Sequence, residues 1–144
     1  MTVTGITASH LGLCVTDLER SLAFYCEGLG FEQGVTYPID NTFADTLEVP
    51  RDVVLTSQFI SVPGMAIELL AYESPAVEGR PSTQRNQLGI THLSFYVDDV
   101  DAVAERLVAL GGTVIESTRT TLEGIDLLFL SDPDGTRVEL MKAG

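Results

Sequence analysis

The chain has 144 residues, 44% of them apolar, and a formal net charge of −13. That length suits one domain or two very small fused units, and the apolar share is enough for a packed core. A negative field of this size repels phosphate backbones and anionic membranes, which argues against nucleic acid as a partner, and no apolar run approaches the roughly 20 residues that span a bilayer.

Met1 to Ser9 carry neither a basic start nor a long apolar stretch, so no signal peptide is expected and the protein is read as cytoplasmic. The two cysteines, Cys14 and Cys26, are expected to be semi-buried thiols rather than a disulfide framework. From Ile6 to Val15 the side chains alternate, with Leu11, Leu13 and Val15 on one face and His10, Gly12 and Cys14 on the other, which is the pattern of a half-buried strand. Thr16-Asp17-Leu18-Glu19 reads as a capping box with Thr16 at the cap. Leu18, Leu22, Tyr25 and Leu29 follow at helical spacing, and Gly28 and Gly30 close the helix. A short strand is expected near Glu32 to Tyr37. Val53 to Val62, then Pro63-Gly64, then Met65 to Tyr72 predict a hairpin.

The polar stretch 73–88, with both Pro and Gly, reads as a linker. After it the plan repeats. Leu93, Phe95 and Val97 give the apolar face of a strand that carries His92. Asp98 and Asp99 open a helix with Val100, Val103, Leu107 and Leu110 on one side, and Gly111-Gly112 end it. A short strand is expected near Thr113 to Arg119, then a hairpin from Ile125 to Leu130 and Thr136 to Met141 across Pro133-Asp134-Gly135. His10 and His92 are 82 residues apart, as are Val15 and Val97 and Gly30 and Gly112, whereas Glu68 and Glu139 are 71 apart. The first half therefore carries 11 extra residues, around Thr36 to Thr56. A repeat of this kind decides the architecture. It predicts an α+β fold of two tandem βαβββ modules, about 5–72 and about 89–142, forming a curved mixed sheet with helices on its outer face.

Alternate strand residues share a face. With Leu11, Leu13 and Val15 under the helix, His10 points to the other side of the sheet, and so does His92. Ile67 and Leu69 pack inward, as do Val138 and Leu140, so Glu68 and Glu139 face the same way as the histidines. Two carboxylates in one hollow repel each other and resist desolvation, and a divalent cation removes that penalty. Imidazole and carboxylate are common ligands for first-row metals, so His10, Glu68, His92 and Glu139 are the candidate ligands of one divalent ion, for which Ni, Co, Mn, Fe and Zn all fit. Tyr96 is expected on the face of His92 and Arg137 on that of Glu139, either as pocket groups or, for Arg137, as a neutraliser of nearby acid. The excess segment, with Tyr37, Phe43 and Arg51, is expected either at a pocket mouth or as a surface excursion.

These residues resemble the vicinal oxygen chelate superfamily, the fold of glyoxalase, bleomycin-resistance proteins and extradiol dioxygenases. The resemblance covers essentially the whole chain, 1–144, as one such domain. It rests on His10 with Asp17-Leu18-Glu19-Arg20-Ser21, Phe24-Tyr25 through Leu29-Gly30-Phe31, Ile67-Glu68-Leu69, His92 with Val97-Asp98-Asp99-Val100, and Asp132-Pro133-Asp134-Gly135 before Glu139. The His-Glu-His-Glu order looks like the glyoxalase I ligand set. It implies a metal-dependent isomerase or lyase acting on a small oxygen-chelating molecule through an enediolate-like intermediate, with Glu139 or Glu68 as the base. It also implies a homodimer, in which the modules pair within one chain or swap between two. The family's glutathione-binding Arg and Asn are replaced here by Cys14 and Tyr72, which speaks against glutathione hemithioacetal. The rival readings within the superfamily are an Fe(II)-dependent ring-cleaving dioxygenase and a non-catalytic ligand-binding protein of the bleomycin-resistance type.

Overall fold

A computed structural model describes residues 2–144. The α+β class and the repeated βαβββ order are as expected. In the first module the elements are β1 (Leu11–Val15), α1 (Leu18–Leu22, continued by a π-helical stretch Ala23–Gly28), β2 (Glu32–Ile39), β3 (Val54–Val62) and β4 (Met65–Ser74). In the second they are β5 (Leu93–Val97), α2 (Val100–Ala109), β6 (Thr113–Val114), β7 (Thr120–Leu122), β8 (Ile125–Ser131) and β9 (Arg137–Lys142). The strands form two mixed sheets, in the orders β1-β4-β3-β2 and β5-β9-β8-β6, with β7 added beside β8. In each sheet the first strand runs parallel to the last and the other pairs are antiparallel. No helix among the described residues is long and apolar enough to cross a membrane.

The chain divides into two compact units that do not follow its order: residues up to Thr16 with Phe31–Val77, and Asp17–Gly30 with Glu78–Gly144. The first helix thus belongs with the second unit.

In the first unit the apolar face of the sheet is built from Val15, Ile60, Ile67 and Leu69, all buried. Gln58 fills a bulge in β2 by donating from Nε2 to the Gly34 and Phe59 carbonyls. The excess segment is a folded lobe. Asn41 Oδ1 accepts from the backbone N–H groups of Asp52 (2.7 Å) and Val53 (2.9 Å), tying its two ends together. Ala44 and Val53 are buried with Leu55 against Ile39, Leu47, Val49, Leu70 and Tyr72. Leu70 and Tyr72 alternate with the inward residues of β4, so the lobe packs on the same face of the sheet as Glu68.

In the second unit two helices cover the face carrying Leu128, Leu130, Val138 and Leu140, which are all inaccessible to solvent. α1 is capped by Asp17, not Thr16. Asp17 is extended (φ −143°, ψ 109°) and its carboxylate accepts from the Arg20 N–H, so the cap lies one residue later than the Thr-Glu spacing predicts. Of the expected Leu18, Leu22, Tyr25 and Leu29 stripe only Tyr25 is buried; the buried set is Ser21, Phe24, Tyr25 and Gly28, spaced i, i+3, i+4 and i+7 on a neighbouring face. Asp99 caps α2 as expected, accepting from the Ala102 N–H. Glycine permits the close packing at two points. A Cβ on Gly112 would stand 2.9 Å from both the Leu107 carbonyl and the Phe24 ring, and one on Gly28 would stand 2.4 Å from a Leu107 methyl. Arg106 Nε donates to the Gly28 carbonyl at 2.9 Å, satisfying the end of the first helix.

Asp132 ties this unit together. It is 2% exposed and accepts from the Tyr25 hydroxyl (2.8 Å) and from the backbone N–H groups of Asp134 and Thr136 (2.9 Å each). Arg20 Nη2 pairs with Asp134 at 3.2 Å. The Phe24-Tyr25 and Asp132-Pro133-Asp134-Gly135 motifs, far apart in the chain, are two halves of one packing contact. Burial, and then the Asp132 charge, pushes the Tyr25 hydroxyl well above its usual range. Burial also raises the Asp132 carboxyl, against the hydrogen bonds that lower it.

Candidate metal centre

Each unit presents a His–Glu pair of the same construction. In the first, His10 lies just before β1, and Glu68 pairs in register with Gly12 on one side and Phe59 on the other. His10 is two residues from Gly12, hence on the same face and diagonal to Glu68. Its Nε2 comes within 3.1 Å of Glu68 Oε2. In the second, His92 lies just before β5, and Glu139 pairs with Ser94 and with Phe129. His92 Nε2 lies 3.5 Å from Glu139 Oε2. Both pairs are partly buried.

The supports around the pairs repeat as well. His10 Nδ1 is 2.8 Å from Ser9 Oγ, and His92 Nδ1 is 2.7 Å from Thr91 Oγ1. A hydroxyl on Nδ1 fixes the ring and turns Nε2 toward the carboxylate, which is how a metal-binding imidazole is usually held. Each ring meets a phenylalanine edge-on: His10 with Phe59 and His92 with Phe129, both at 5.0 Å between ring centres. Each glutamate accepts from a serine hydroxyl, but from different strands. Ser57 on β3 donates to Glu68 Oε1 (2.6 Å), whereas Ser94 on β5 donates to Glu139 Oε2 (2.7 Å).

The structure therefore brings together His10 with Glu68, and His92 with Glu139. Among the described residues no group of three or more His, Cys, Asp or Glu side chains is close enough to hold a metal ion. The donor chemistry of each pair fits a divalent cation, with an imidazole nitrogen and a carboxylate oxygen converging; Glu68 gives one oxygen to Ser57 and the other to His10, whereas Glu139 Oε2 meets both Ser94 and His92.

Other expected residues fall on the same faces. Cys14 is exposed, and Tyr72 shares the face of Glu68. Burial raises the Tyr72 hydroxyl, with smaller contributions from Cys14 and Glu68. Neither cysteine forms a disulfide. Tyr96 alternates with Ser94 and His92 but is 75% exposed. Arg137 alternates with Glu139 and forms no ion pair among the described residues. Its Nη1 donates to the Gly135 carbonyl at 3.2 Å.

Sequence reasoning missed Phe59, Phe129, Ser57 and Ser94. The two phenylalanines are 70 residues apart, one fewer than the glutamates, because the β8–β9 turn is one residue longer than the β3–β4 turn. A repeat comparison that allowed a one-residue step in the hairpin would have paired them. The excess before β3 is accordingly 12 residues, with one returned in the turn.

A model of the Glyoxalase/Bleomycin resistance protein/Dioxygenase superfamily matches residues 7–140. The chain is 34% identical to an ethylmalonyl-CoA/methylmalonyl-CoA epimerase of Cereibacter sphaeroides, over 92% of this chain and 94% of that one. It is 32% identical to the uncharacterised protein YaeR of Escherichia coli K12, over 91% and 92% of the two chains. A solved glyoxalase family protein from Bacillus cereus superposes with a TM-score of 0.84 over 99% of this chain and 98% of that one, at 16% identity. The fosfomycin resistance protein FosX of Listeria monocytogenes, solved with Mn(II) and sulfate, superposes at 0.63 over 99% and 95%, with 22% identity. These two likenesses are of fold.

Proposed function

The chain belongs to the Glyoxalase/Bleomycin resistance protein/Dioxygenase superfamily, and on that premise we propose that it is a metal-dependent isomerase or lyase that moves a proton at a carbon beside a carbonyl. The repeated pair carries this reading: an imidazole Nε2 facing a carboxylate oxygen at 3.1 Å and again at 3.5 Å, each group fixed by a hydroxyl. One His and one Glu supply half of a four-ligand set. His10, Glu68, His92 and Glu139 together offer two nitrogens and two oxygens, suited to Ni, Co, Mn, Fe or Zn. The completing half comes from the same chain or from a second copy in a homodimer. The bound cation supplies Lewis acidity toward the oxygen on which negative charge develops.

The chain's own residues then handle the proton. A glutamate carboxylate takes it from the carbon, the C–H electron pair moves toward the carbonyl, and the carboxylic acid returns the proton. Return by the same acid to the neighbouring atom is isomerisation, and delivery of a proton to the opposite side of the same carbon by the other glutamate is epimerisation. We assign Glu139 as the base. It stands farther from its histidine than Glu68 does, and its hydroxyl partner, Ser94, is exposed where Ser57 is buried, so Glu139 is the less constrained of the two. The kinship with a protein named as an epimerase supports this reaction class. Cys14 and Tyr72 cannot fork onto a carboxylate as an arginine does, which disfavours glutathione adducts.

Elemental analysis of the native protein beside His10→Ala and His92→Ala tests the centre. The expected result is metal in a fixed ratio to protein, lost in both variants. Metal retained in both variants sinks the ligand assignment.

A further inference from the structure

The second unit holds a cavity of about 330 Å³ on the Glu139 face of its sheet, floored by Leu127 and Phe129 and walled by Thr118 and Thr120, with Arg85 and Arg137 both opening onto it. Phe129 is the ring that meets His92 edge-on, so the cavity shares a wall with the His92–Glu139 pair. Arg137 precedes Glu139 by two residues on one face of β9, about 6–7 Å along the strand.

Two guanidiniums in one small cavity repel each other. Neither forms an ion pair among the described residues. Arg85 donates to the Thr91 carbonyl (2.7 Å) and to that of Ser82, and Arg137 donates to that of Gly135. A guanidinium has five N–H donors, so backbone carbonyls orient these two side chains and leave most of their donors unspent. The whole chain has eight Lys and Arg against 21 Asp and Glu. In so acidic a protein, two arginines sharing a cavity without a carboxylate leave a local positive charge that an anion would neutralise. The size is at the lower end for small-molecule pockets, and the threonine hydroxyls can bond oxygens that the arginines do not reach.

We propose that Arg85 and Arg137 bind the anionic group, carboxylate or phosphoryl, of a small acid whose oxygens reach the His92–Glu139 pair. This names the substrate class for the proposed centre and rests on that reading only for what happens to the bound acid. Anion capture itself requires only the cavity. Forked hydrogen bonds to both arginines would set the distance between the acid group and the reacting carbon, so that the carbon lies over Glu139. Acids shorter or longer than the 6–7 Å step between Arg137 and Glu139 would be held but misplaced.

The test is calorimetric titration of the full chain, after dialysis against a chelator and removal of the chelator, with inorganic phosphate and with malonate. Saturable binding of at least one probe is expected. Arg85→Ala and Arg137→Gln should each weaken it about tenfold or more, as expected for loss of a charged hydrogen-bonding partner. Arg80→Ala, in the same segment and outside the cavity, should leave it unchanged. Arg85 is exposed, so Arg85→Ala retains the fold and keeps the test decisive even if Arg137→Gln is unstable. Tighter binding of malonate assigns a carboxylic acid, and tighter binding of phosphate a phosphoryl compound. No saturable binding, or binding indifferent to both substitutions, overturns the proposal. Malonate bound only by metal-loaded protein and insensitive to the arginines overturns it while leaving the metal centre standing. Anion binding that survives in a protein shown to hold no metal supports it while removing the centre.

Discussion

The two units carry the same pair and surround it differently. In the first, the far part of the Glu68 face is filled by the lobe, whose Ala44 and Val53 close over Leu55, Leu70 and Tyr72. In the second, the corresponding face keeps an open cavity with two arginines. The Glu68 hydroxyl partner comes from β3 and is buried, and the Glu139 partner comes from β5 and is exposed. What stayed constant in both copies is the histidine, its hydroxyl, the glutamate and the edge-on phenylalanine. Beyond the pair, the first unit has this packed patch on its Tyr72 side and, at its His10 end, a cavity of about 510 Å³ with Ser9, Ser61 and Met65 in its wall and no Lys or Arg side chain, whereas the cavity of the second unit is lined with two arginines. The packed patch stabilises its unit, and the cationic cavity is suited to hold an anion. The difference separates the residues of the proposed centre from those proposed to select what comes to it.

The largest expected effect tests whether the units are energetically separate. Leu69 and Leu128 are both inaccessible to solvent, at the middle of their sheets. Leu69→Ala and Leu128→Ala should each cost about 2–5 kcal/mol. The chain enters the second unit for Asp17–Gly30, returns to the first, and leaves it again after Val77, so neither unit has a continuous sequence of its own. Both variants should therefore lower one common transition in calorimetry. Two resolved transitions, each moved by one variant alone, would show that the units unfold independently.

A smaller effect compares the two hydroxyls. Ser57→Ala and Ser94→Ala each remove the donor that orients a glutamate, and metal affinity should fall about 10–100-fold on the usual scale for such supports. Ser57→Ala should be the more damaging, because water cannot take the place of a buried hydroxyl as readily as that of an exposed one. Competition with a chelating dye reads both constants, and a larger loss in Ser94→Ala would reverse the comparison.

The smallest effect belongs to the second unit alone. Burial raises the Asp132 pKa above its ordinary 3.8 in the folded protein. For an acid whose folded pKa is raised, the folded state binds more protons than the unfolded state between the two pKa values, so stability falls as pH rises through that window. Wild type should gain on Asp132→Asn as the pH is lowered from the raised folded pKa to about 3.8, and the gap should be constant above the window. Chemical denaturation at a series of pH values checks this, and a gap that moves the other way would mean that the hydrogen bonds to Asp132 outweigh its burial.

Much of the fold was legible in local periodicity. The alternation in β1, β4, β5 and β9 placed His10, Glu68, His92 and Glu139 on their faces, because a strand's side-chain period is two and its partners need not be known. The hairpins followed from their turn residues. The cap of α1 and its buried stripe did not, because an Asp beside a Thr offers a second cap and Leu18, Leu22 and Leu29 keep helical spacing on a face next to the buried one. Of the candidate site, the four titratable groups were readable and their supports were not. Ser57 reaches Glu68 across strands, and Phe129 meets His92 from 37 residues away in the chain, at a register that one extra turn residue shifts.

The amino-acid sequence by itself determined the duplication, the strand and helix order and the sidedness of the two His–Glu pairs, all of which depend on spacing along a few residues. Only the tertiary structure decided that the helix after β1 belongs with the second unit, that the excess segment folds onto the Glu68 face, and that Arg85 from the linker meets Arg137 from β9. Those outcomes depend on which distant surfaces exclude water from one another, and no period within the chain encodes that.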